Sequence, residues 1–299
     1  MLMPLGKEKG GKETGFAFTG LAVVSTPIGN LGDITPRARD VLSHADLIAC
    51  EDTRHTGLLL SRLGITPKKL VAYHDHSQDH VIHGLIEALQ KGKTVALVSD
   101  AGTPLISDPG YRLVAACRQG GIAVTPIPGA SALLAGLAAS GLPTDQFYFA
   151  GFLPHGEKKR RDMLVGLQAL RSTIVFYESP KRLASTLAIM ADLYPARPAV
   201  VARELTKLHE SFYHGDVASL YAELKDQPLK GEAVLILGPL KDEETLSEDE
   251  LKAMVANALA DGYSRRDAAA LIADQTGHAK KIIYQIAIAL PDPSRDHDR

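Results

Sequence analysis

The chain has 299 residues, of which 45% are hydrophobic and 23% are charged, and its formal net charge is −2. This length predicts more than one domain, and the near-neutral charge excludes a protein coated in basic residues over its whole surface. The two cysteines, Cys50 and Cys117, exclude a disulfide framework and a thiolate metal cluster, and we expect no metal site. Because no apolar stretch reaches membrane-spanning length and no signal-peptide core is found, we expect a cytoplasmic protein without a membrane segment.

The first 20 residues predict a flexible tail, since they are rich in Gly, Lys and Glu and have no apolar periodicity. Gly6, Gly11 and Lys12 have the spacing of a phosphate-binding P-loop. Glu13 stands where that motif needs Ser or Thr, and no strand precedes it, which argues against a nucleotide site here.

Strand-like runs alternate with helical segments from residue 21 to residue 240, which predicts βαβ units and mainly parallel sheets. The stretch from Pro128 to Pro143 is dense in Gly and Ala and indicates a hinge between two α/β lobes, at residues 21–135 and 136–240. The expected strands are Leu21–Thr26, Asp46–Ala49, Lys69–Tyr73, Thr94–Ser99, Ala123–Ile127, Ser172–Tyr177, Ala199–Arg203 and Ala233–Leu237.

Residues 245–299 predict a small all-α module. Ser247 and Glu250 form a capping-box signature, and three apolar stripes at helical spacing follow. The order of the helices is similar to a helix-turn-helix unit, with Lys280 and Lys281 at the start of the last helix, the end that usually meets nucleic acid. A packing or dimerisation module explains the same pattern equally well.

Three loops rich in glycine and proline follow predicted strands. The most informative is Ser99–Gly110, which comes directly after a buried apolar run, and the others are Ser25–Asp33 and Pro126–Ala132. In open α/β sheets ligands bind at the carboxyl ends of the strands, and small residues let a ligand approach the backbone closely. These loops therefore predict a ligand pocket. The G-x-G-x-x-G pattern of a dinucleotide site is absent from them.

The same loops carry a family resemblance. TPIGNLGD (Thr26–Asp33), SDAGTPLISDPG (Ser99–Gly110) and PGASA (Pro128–Ala132) resemble the tetrapyrrole-methylase class of S-adenosylmethionine (AdoMet)-dependent methyltransferases. More narrowly, the chain is similar to the ribosomal RNA small subunit methyltransferase I subfamily, in its segments CEDTRHT (Cys50–Thr56), FYESPKR (Phe176–Arg182) and ARELTKLHE (Ala202–Glu210).

The resemblance implies 2′-O-methylation of a cytidine ribose in the decoding region of 16S ribosomal RNA, with the RNA expected within the 30S subunit. It also implies a homodimer and two α/β lobes with AdoMet in the cleft between them. Thr103 replaces an aspartate that many tetrapyrrole-acting members carry, and Asp100 is expected to take over its role. The residues expected at the cofactor are Pro27, Asp100, Ala101, Gly102, Thr103, Ile106, Ser131, Ala132, Tyr177, Leu205, Glu232 and Ala233.

Methyl transfer to a ribose hydroxyl benefits from a positioned base. The candidate bases in the motifs that face the expected cleft are Glu51, Asp52, His55, Asp108 and Glu178. We favour Asp108 and Glu178, with Arg54 and Lys181 holding phosphates or lowering the proton affinity of the hydroxyl. A loop cap or an exposed ion pair is the competing interpretation for each of them.

RNA binding needs a local positive surface, because the chain as a whole is close to neutral. Between Glu157 and Arg182 there are seven basic and three acidic residues, a local charge of +4. A solvated helix face would show the same pattern. The residues expected to bind RNA are Lys158, Lys159, Arg160, Arg161 and Arg182.

Two other functions fit parts of the pattern. The same fold could methylate a tetrapyrrole precursor, but the basic run and the helical module argue against that function. The chain could instead be a DNA-binding regulator that senses AdoMet. That hypothesis needs the helical module to dominate, yet Ala279 stands where its third helix would carry a Ser or Thr cap.

Overall fold

The computed structural model describes residues 18–74, 79–227, 229–240, 247–276 and 278–290. The P-loop-like spacing and most of the expected tail lie outside these residues. Phe18, which we expected in the tail, is buried against the core of the first sheet. The chain divides into two compact units, Met1–Leu240 and Lys241–Arg299.

The first sheet has five parallel strands in the order β3-β2-β4-β1-β5. They are β1 (Leu21–Val24), β2 (Leu47–Cys50), β3 (Leu70–Ala72), β4 (Val95–Val98) and β5 (Val124–Ile127). Every residue of β2 and β4 is buried, as expected for parallel strands covered on both faces. The helices of this part are α1 (Pro36–His44), α2 (Thr53–Arg62), α3 (Asp79–Gln90), α4 (Tyr111–Gln119) and α5 (Ala132–Ala139).

The second sheet is mixed and has the order β6-β7-β10-β8-β9. Its strands are β6 (Phe147–Phe152), β7 (Thr173–Glu178), β8 (Pro198–Arg203), β9 (Ser211–Asp216) and β10 (Ala233–Leu237). Only β6 and β7 pair in parallel, so the expectation of mainly parallel sheets is right for the first sheet and wrong for the second. The helices here are α6 (Glu157–Leu167), α7 (Pro180–Leu193) and α8 (Val217–Leu224).

Helix α5 follows the first sheet in sequence but packs on the second. Its Leu133 and Leu137 belong to one buried cluster with Val175, Val200 and Val234 of the second sheet. A Cβ at Gly136 would lie 3.3 Å from the Val234 side chain, so the small residues of this helix allow close contact with β10. The lobe boundary predicted after residue 135 falls inside this helix and stays a prediction.

The second unit contains three helices, α9 (Glu248–Ala260), α10 (Arg265–Thr276) and α11 (Lys280–Ala289). The predicted capping box is present, since the Ser247 hydroxyl accepts from the Glu250 N–H and the Glu250 carboxylate accepts from the Ser247 N–H. The helices share a core that includes Val255, Ile272 and Ile283. None of the helices in the described part of the chain is long and apolar enough to span a bilayer.

Candidate active site

A cavity of about 410 Å³ lies where the carboxyl ends of first-sheet strands face the second sheet. The first sheet contributes the loops after β1 and β4, and α5 contributes its first residue. The second sheet contributes the ends of β6, β7 and β8 and the start of β10. The lining residues are Ile28, Asp100, Ala101, Gly102, Thr103, Ile106, Ser107, Asp108, Ala132, Phe152, Tyr177, Glu178, Ser179, Pro180, Ala202, Leu205, Gly231, Glu232, Ala233 and Val234.

Hydrogen bonds join the first-sheet loops at the floor of this cavity. Thr26 and Gly102 exchange two backbone hydrogen bonds, of 2.8 and 3.0 Å. The Thr103 hydroxyl donates to the carbonyl oxygen of Ala130 at 3.1 Å and lies 2.9 Å from the Ser25 hydroxyl. The loops that follow β1, β4 and β5 are therefore held in one fixed arrangement.

Two loops at the cavity contain all the non-glycine residues with a positive φ in the described ranges of the chain. Leu105 and Ser107 lie in the loop after β4, and Glu204 and Thr206 lie in the loop after β8, with φ between 51° and 74°. Side chains rarely adopt this conformation, and strained backbone of this kind clusters at functional sites. The strain is thus concentrated on both walls of the cavity.

The loop after β8 is held by a small network of charges. Lys207 Nζ donates to Glu204 at 2.9 Å and to Glu232 at 3.0 Å, and the hydrogen bond from Lys207 lowers the pKa of Glu204 below its ordinary value. A Cβ at Gly29 would lie 2.4 Å from Lys207 Cγ, so the loop after β1 touches this network directly. Glycine is needed at position 29 for this close approach.

Tyr177 connects the second sheet to α5. Its hydroxyl accepts a hydrogen bond from the Leu133 N–H at 3.2 Å, and Phe149 and Phe152 pack edge-on against its ring. Burial raises the pKa of Tyr177, and the charge of Asp108 raises it further, against hydrogen bonds that lower it. Tyr177 is therefore a neutral hydroxyl in the cavity wall, and Asp108 lies close enough to influence it.

Glu178, one of the two favoured bases, accepts hydrogen bonds on both carboxylate oxygens from residues of α7 and its N-cap. One carboxylate oxygen accepts from the Ser179 N–H at 2.7 Å and from Arg182 Nε at 2.8 Å, and the other accepts from the Thr186 hydroxyl at 2.8 Å. Its side chain is 0% exposed. Arg182 also donates to the Leu153 carbonyl at 3.0 Å. Glu178 and Arg182 thus form a buried pair that joins α7 to β6 and β7.

The other predicted catalytic residues are divided between the cavity wall and its surroundings. Asp108 lines the cavity and is half-buried. Lys181 is exposed and directly follows the lining residue Pro180. Arg54 is 90% exposed and forms a bidentate pair with Asp52, which holds the pKa of that carboxyl well below its usual range.

Neither residue of the Asp52–Arg54 pair lines the cavity. The pair is linked to it through the Asp52 N–H, which donates to the carboxylate of the lining residue Asp100 at 3.2 Å. Glu51 and His55, also considered as bases, are not among the lining residues.

Ten of the twelve predicted cofactor residues line the cavity, and the remaining two are Pro27 and Ser131. Pro27 precedes the lining residue Ile28, and the Ser131 side chain lies near enough to the lining residue Tyr177 to lower its pKa. The sequence reasoning missed several lining residues, of which Phe152 is the largest. Phe152 ends a strand that was not predicted, whereas Ile28 and Ser107 lie inside recognised motifs and could have been included.

Only part of the basic run of α6 is exposed to solvent. Lys158 and Lys159 are exposed. Arg160 is buried and donates to the Ser185 hydroxyl at 3.2 Å, and Arg161 pairs with Asp192 at 2.7 Å. Arg160 and Arg182 therefore serve packing inside the second lobe in this structure, and the free positive charge is smaller than the sequence count indicates.

The described residues contain no group of three or more His, Cys, Asp or Glu side chains arranged to hold a metal ion. Cys50 and Cys117 are both free and buried. Burial raises the pKa of both thiols, that of Cys117 to about 11. Neither cysteine is therefore a thiolate at neutral pH.

The sequence has close relatives. Residues 20–221 match the profile of the family described as Tetrapyrrole (Corrin/Porphyrin) Methylases. The chain is 47% identical over 272 residues to ribosomal RNA small subunit methyltransferase I of Escherichia coli O157:H7, which covers 90% of this chain and 94% of that protein. It is 44% identical over 273 residues to the protein of the same description from Synechocystis sp., covering 90% of this chain and 98% of that protein.

Solved structures show the same fold at low identity. Diphthine synthase matches with a TM-score of 0.57 at 15% identity, over 73% of this chain and 89% of that one. Uroporphyrin-III C-methyltransferase from Thermus thermophilus, complexed with S-adenyl homocysteine, matches with a TM-score of 0.51 at 21% identity. The match covers 73% of this chain and 97% of that one. The expected two-lobed α/β fold is confirmed. The chain belongs to the tetrapyrrole methylase family and, within it, to the ribosomal RNA small subunit methyltransferase I family.

Proposed function

We propose that the protein transfers the methyl group of AdoMet to the 2′-hydroxyl of a cytidine ribose in 16S ribosomal RNA. The observation that carries this proposal is the cavity at the loop ends, because it combines the loops of this methyltransferase family with a size suited to one small organic ligand. The relatives that cover 90% of the chain are named as ribosomal RNA enzymes, which favours RNA over a tetrapyrrole or a DNA operator as substrate.

The residues of the cavity fit AdoMet. Small side chains line it on both walls, at Ala101, Ala132, Ala202 and Ala233. Gly102 has a φ of +80°, and a Cβ there would lie 3.3 Å from Ile28 Cγ2, so a larger residue would be strained and would crowd Ile28 in the floor. The ten lining residues expected from the family would hold the cofactor, and Asp100 and Glu232 are the charged groups among them.

AdoMet, when bound, supplies an activated methyl group, so the protein's own tasks are orientation of the hydroxyl, exclusion of water and removal of a proton. Asp108 is the base that we propose. Asp108 and Glu178 both line the cavity. Glu178 is buried and both of its oxygens accept hydrogen bonds, from Ser179, Arg182 and Thr186, whereas Asp108 is half-buried. Asp108 would accept the ribose proton as the oxygen forms its bond to the methyl carbon and the carbon–sulfur bond breaks.

The RNA would reach the cavity along the second lobe. Lys181 stands directly beside the lining residues Ser179 and Pro180, and Lys158 and Lys159 are exposed on α6. These side chains can contact phosphates without reading the sequence. We further propose that the substrate is the 30S subunit, that the enzyme is a homodimer, and that it acts in the cytoplasm.

The experiment that tests the function uses purified protein, AdoMet with a labelled methyl group, and 30S subunits that lack the modification. Nuclease digestion and mass spectrometry of the nucleosides should give labelled 2′-O-methylcytidine. Free 16S RNA, a porphyrinogen and duplex DNA serve as parallel substrates. Label in a base, in the porphyrinogen, or in none of the substrates would contradict the proposal.

A further inference from the structure

We propose that the helical module carries a second RNA-binding site, which takes the phosphates and an unpaired base of a single-stranded segment. The inference rests on the proposed function, since it concerns how the same substrate is held. The site is an open concavity of about 320 Å³ lined by Arg266, Lys280, Lys281 and Tyr284. It belongs wholly to the second unit and is separate from the lining of the cavity described above.

The basic side chains at this concavity form no ion pairs with the described residues. Across the described part of the module, Arg266, Lys280 and Lys281 have no ion-pair partner, while Lys252 pairs with Glu248 and Asp249 on α9. The nearby carboxylate of Asp267 accepts a hydrogen bond from the Ser264 hydroxyl at 2.6 Å, within its own helix cap. Three cations therefore face one depression, and no carboxylate among the described residues of the module forms an ion pair with them.

The position of the lysines is unfavourable for the helix itself. Lys280 and Lys281 form the first turn of α11, where the helix dipole disfavours positive charge, and no side chain caps that end at Ala279. A bound anion would neutralise the lysines and would accept hydrogen bonds from the uncapped N–H groups. Helix stability thus gives no reason for these residue types, and phosphate binding gives one.

Tyr284 supplies the second kind of contact. It lies one turn after Lys280 on α11, lines the same concavity and is 41% exposed. An exposed aromatic ring between cations is the arrangement on which unpaired bases stack while the backbone is neutralised. RNA is favoured over duplex DNA because the relatives that cover 90% of the chain are named as ribosomal RNA enzymes.

The test measures binding of the full chain to a fluorescent single-stranded RNA of mixed sequence, about 20 nucleotides long, between 50 and 200 mM salt. The triple variant R266Q/K280Q/K281Q should reduce the slope of log affinity against log salt concentration by about 2. Each phosphate contact on a single strand contributes about 0.7 to that slope. Over that range the wild type should therefore lose roughly 20-fold more affinity than the variant. The variant K91Q/K93Q/R118Q removes three exposed charges from the first lobe and should leave the slope unchanged.

Tyr284→Leu should weaken RNA binding by about 5-fold or more, the equivalent of about 1 kcal/mol of stacking, without changing the salt slope. Tyr284→Phe should bind as the wild type does. The proposal is overturned if the triple variant keeps the wild-type slope, or if the wild type binds duplex DNA more tightly than RNA and loses that preference in the triple variant. Methyl transfer by the wild type to 30S subunits is measured in parallel, so that a failure of the proposed function is seen separately.

Discussion

The hydroxyl of Thr103 donates to the carbonyl oxygen of Ala130 at 3.1 Å, which ties the loop after β4 to the loop after β5. Since the hydroxyl has one proton, the Ser25 hydroxyl, 2.9 Å away, must donate to Thr103 in turn. Thr103 is thus used within the protein, and the carboxylates of that loop that line the cavity are Asp100 and Asp108.

Replacing Thr103 by Val should remove both hydrogen bonds while keeping the shape of the side chain. The Ser25 hydroxyl and the Ala130 carbonyl would lose a partner, which should lower the free energy of unfolding by about 1–3 kcal/mol. AdoMet affinity should fall as well, because the loops lose their fixed arrangement. Urea unfolding and calorimetric titration measure the two effects. Thr103→Ser keeps the hydroxyl and serves as control, and equal behaviour of the two variants would refute the role.

Gly102→Ala separates backbone strain from crowding of the cavity. Gly102 and Gly64 both have a φ above +70°, so Ala should cost each site roughly 1 kcal/mol of stability. A Cβ at position 64 meets nothing within 4 Å, whereas at position 102 it approaches Ile28 in the cavity floor. Only Gly102→Ala should therefore weaken AdoMet binding, by about ten-fold or more, a free-energy change of about 1.4 kcal/mol. Equal calorimetric affinities for the two variants would show that the floor does not contact the ligand.

A comparison of Glu178→Gln with Asp108→Asn should show that the two favoured carboxylates have different roles, one in stability and one in catalysis. Loss of the Glu178 charge leaves Arg182 in a buried site without its ion pair, so the variant should lose about 3 kcal/mol of stability. Asp108→Asn should keep AdoMet affinity and most of the stability but lower kcat by about 100-fold or more, as expected for removal of a general base.

Thermal unfolding and single-turnover methyl transfer measure these quantities for both proteins. The rate of Glu178→Gln is compared at a temperature at which the variant is still folded. A normal kcat in Asp108→Asn together with a large loss in folded Glu178→Gln would reverse the assignment.

Asp46 should make stability depend on pH at the acid end. Hydrogen bonds from the Thr94 N–H and from Lys68 lower its pKa from 3.8 to about 2. Because the folded pKa is depressed, the contribution is complete above about pH 4 and is lost as the pH falls towards 2. Asp46→Asn should thus be less stable than the wild type at neutral pH, and the gap should close between about pH 4 and pH 2.

The control for this titration is Gln119→Ala, at an exposed side chain at the end of α4 that does not titrate. Its difference from the wild type should not change over the same pH range. The account of this side chain would be contradicted if the difference in stability between Asp46→Asn and the wild type stayed constant or widened on acidification.

The first sheet could be predicted from the sequence because buried parallel strands are continuous apolar runs, such as LIAC in β2 and VALV in β4. Two strands of the second sheet could not. Strand β6 carries a bulge between Phe149 and Gly151 and has no fully buried residue, and β9 is a half-exposed edge strand. In both, tertiary pairing decides the structure where the local pattern is weak.

The same contrast between local patterns and long-range contacts applies to the site. The loop backbone was predictable because glycine, proline and small residues specify it locally, and ten of the residues expected at the cofactor line the cavity. Partners distant in sequence were not visible, such as Thr186, which holds Glu178. The burial of Arg160 could have been predicted from the sequence. It lies four residues before the buried Leu164 and therefore on the same, inner face of α6.

A crystal structure of the protein with S-adenosylhomocysteine tests the central claim most directly. The account predicts the ligand in the cavity between the two sheets, with its contacts on the Ala101–Thr103 turn from one side and on Glu232 and Ala233 from the other. The side of the ligand that carried the methyl group should face Asp108. A ligand bound elsewhere, or a cavity closed by the protein's own side chains in that crystal, would contradict it.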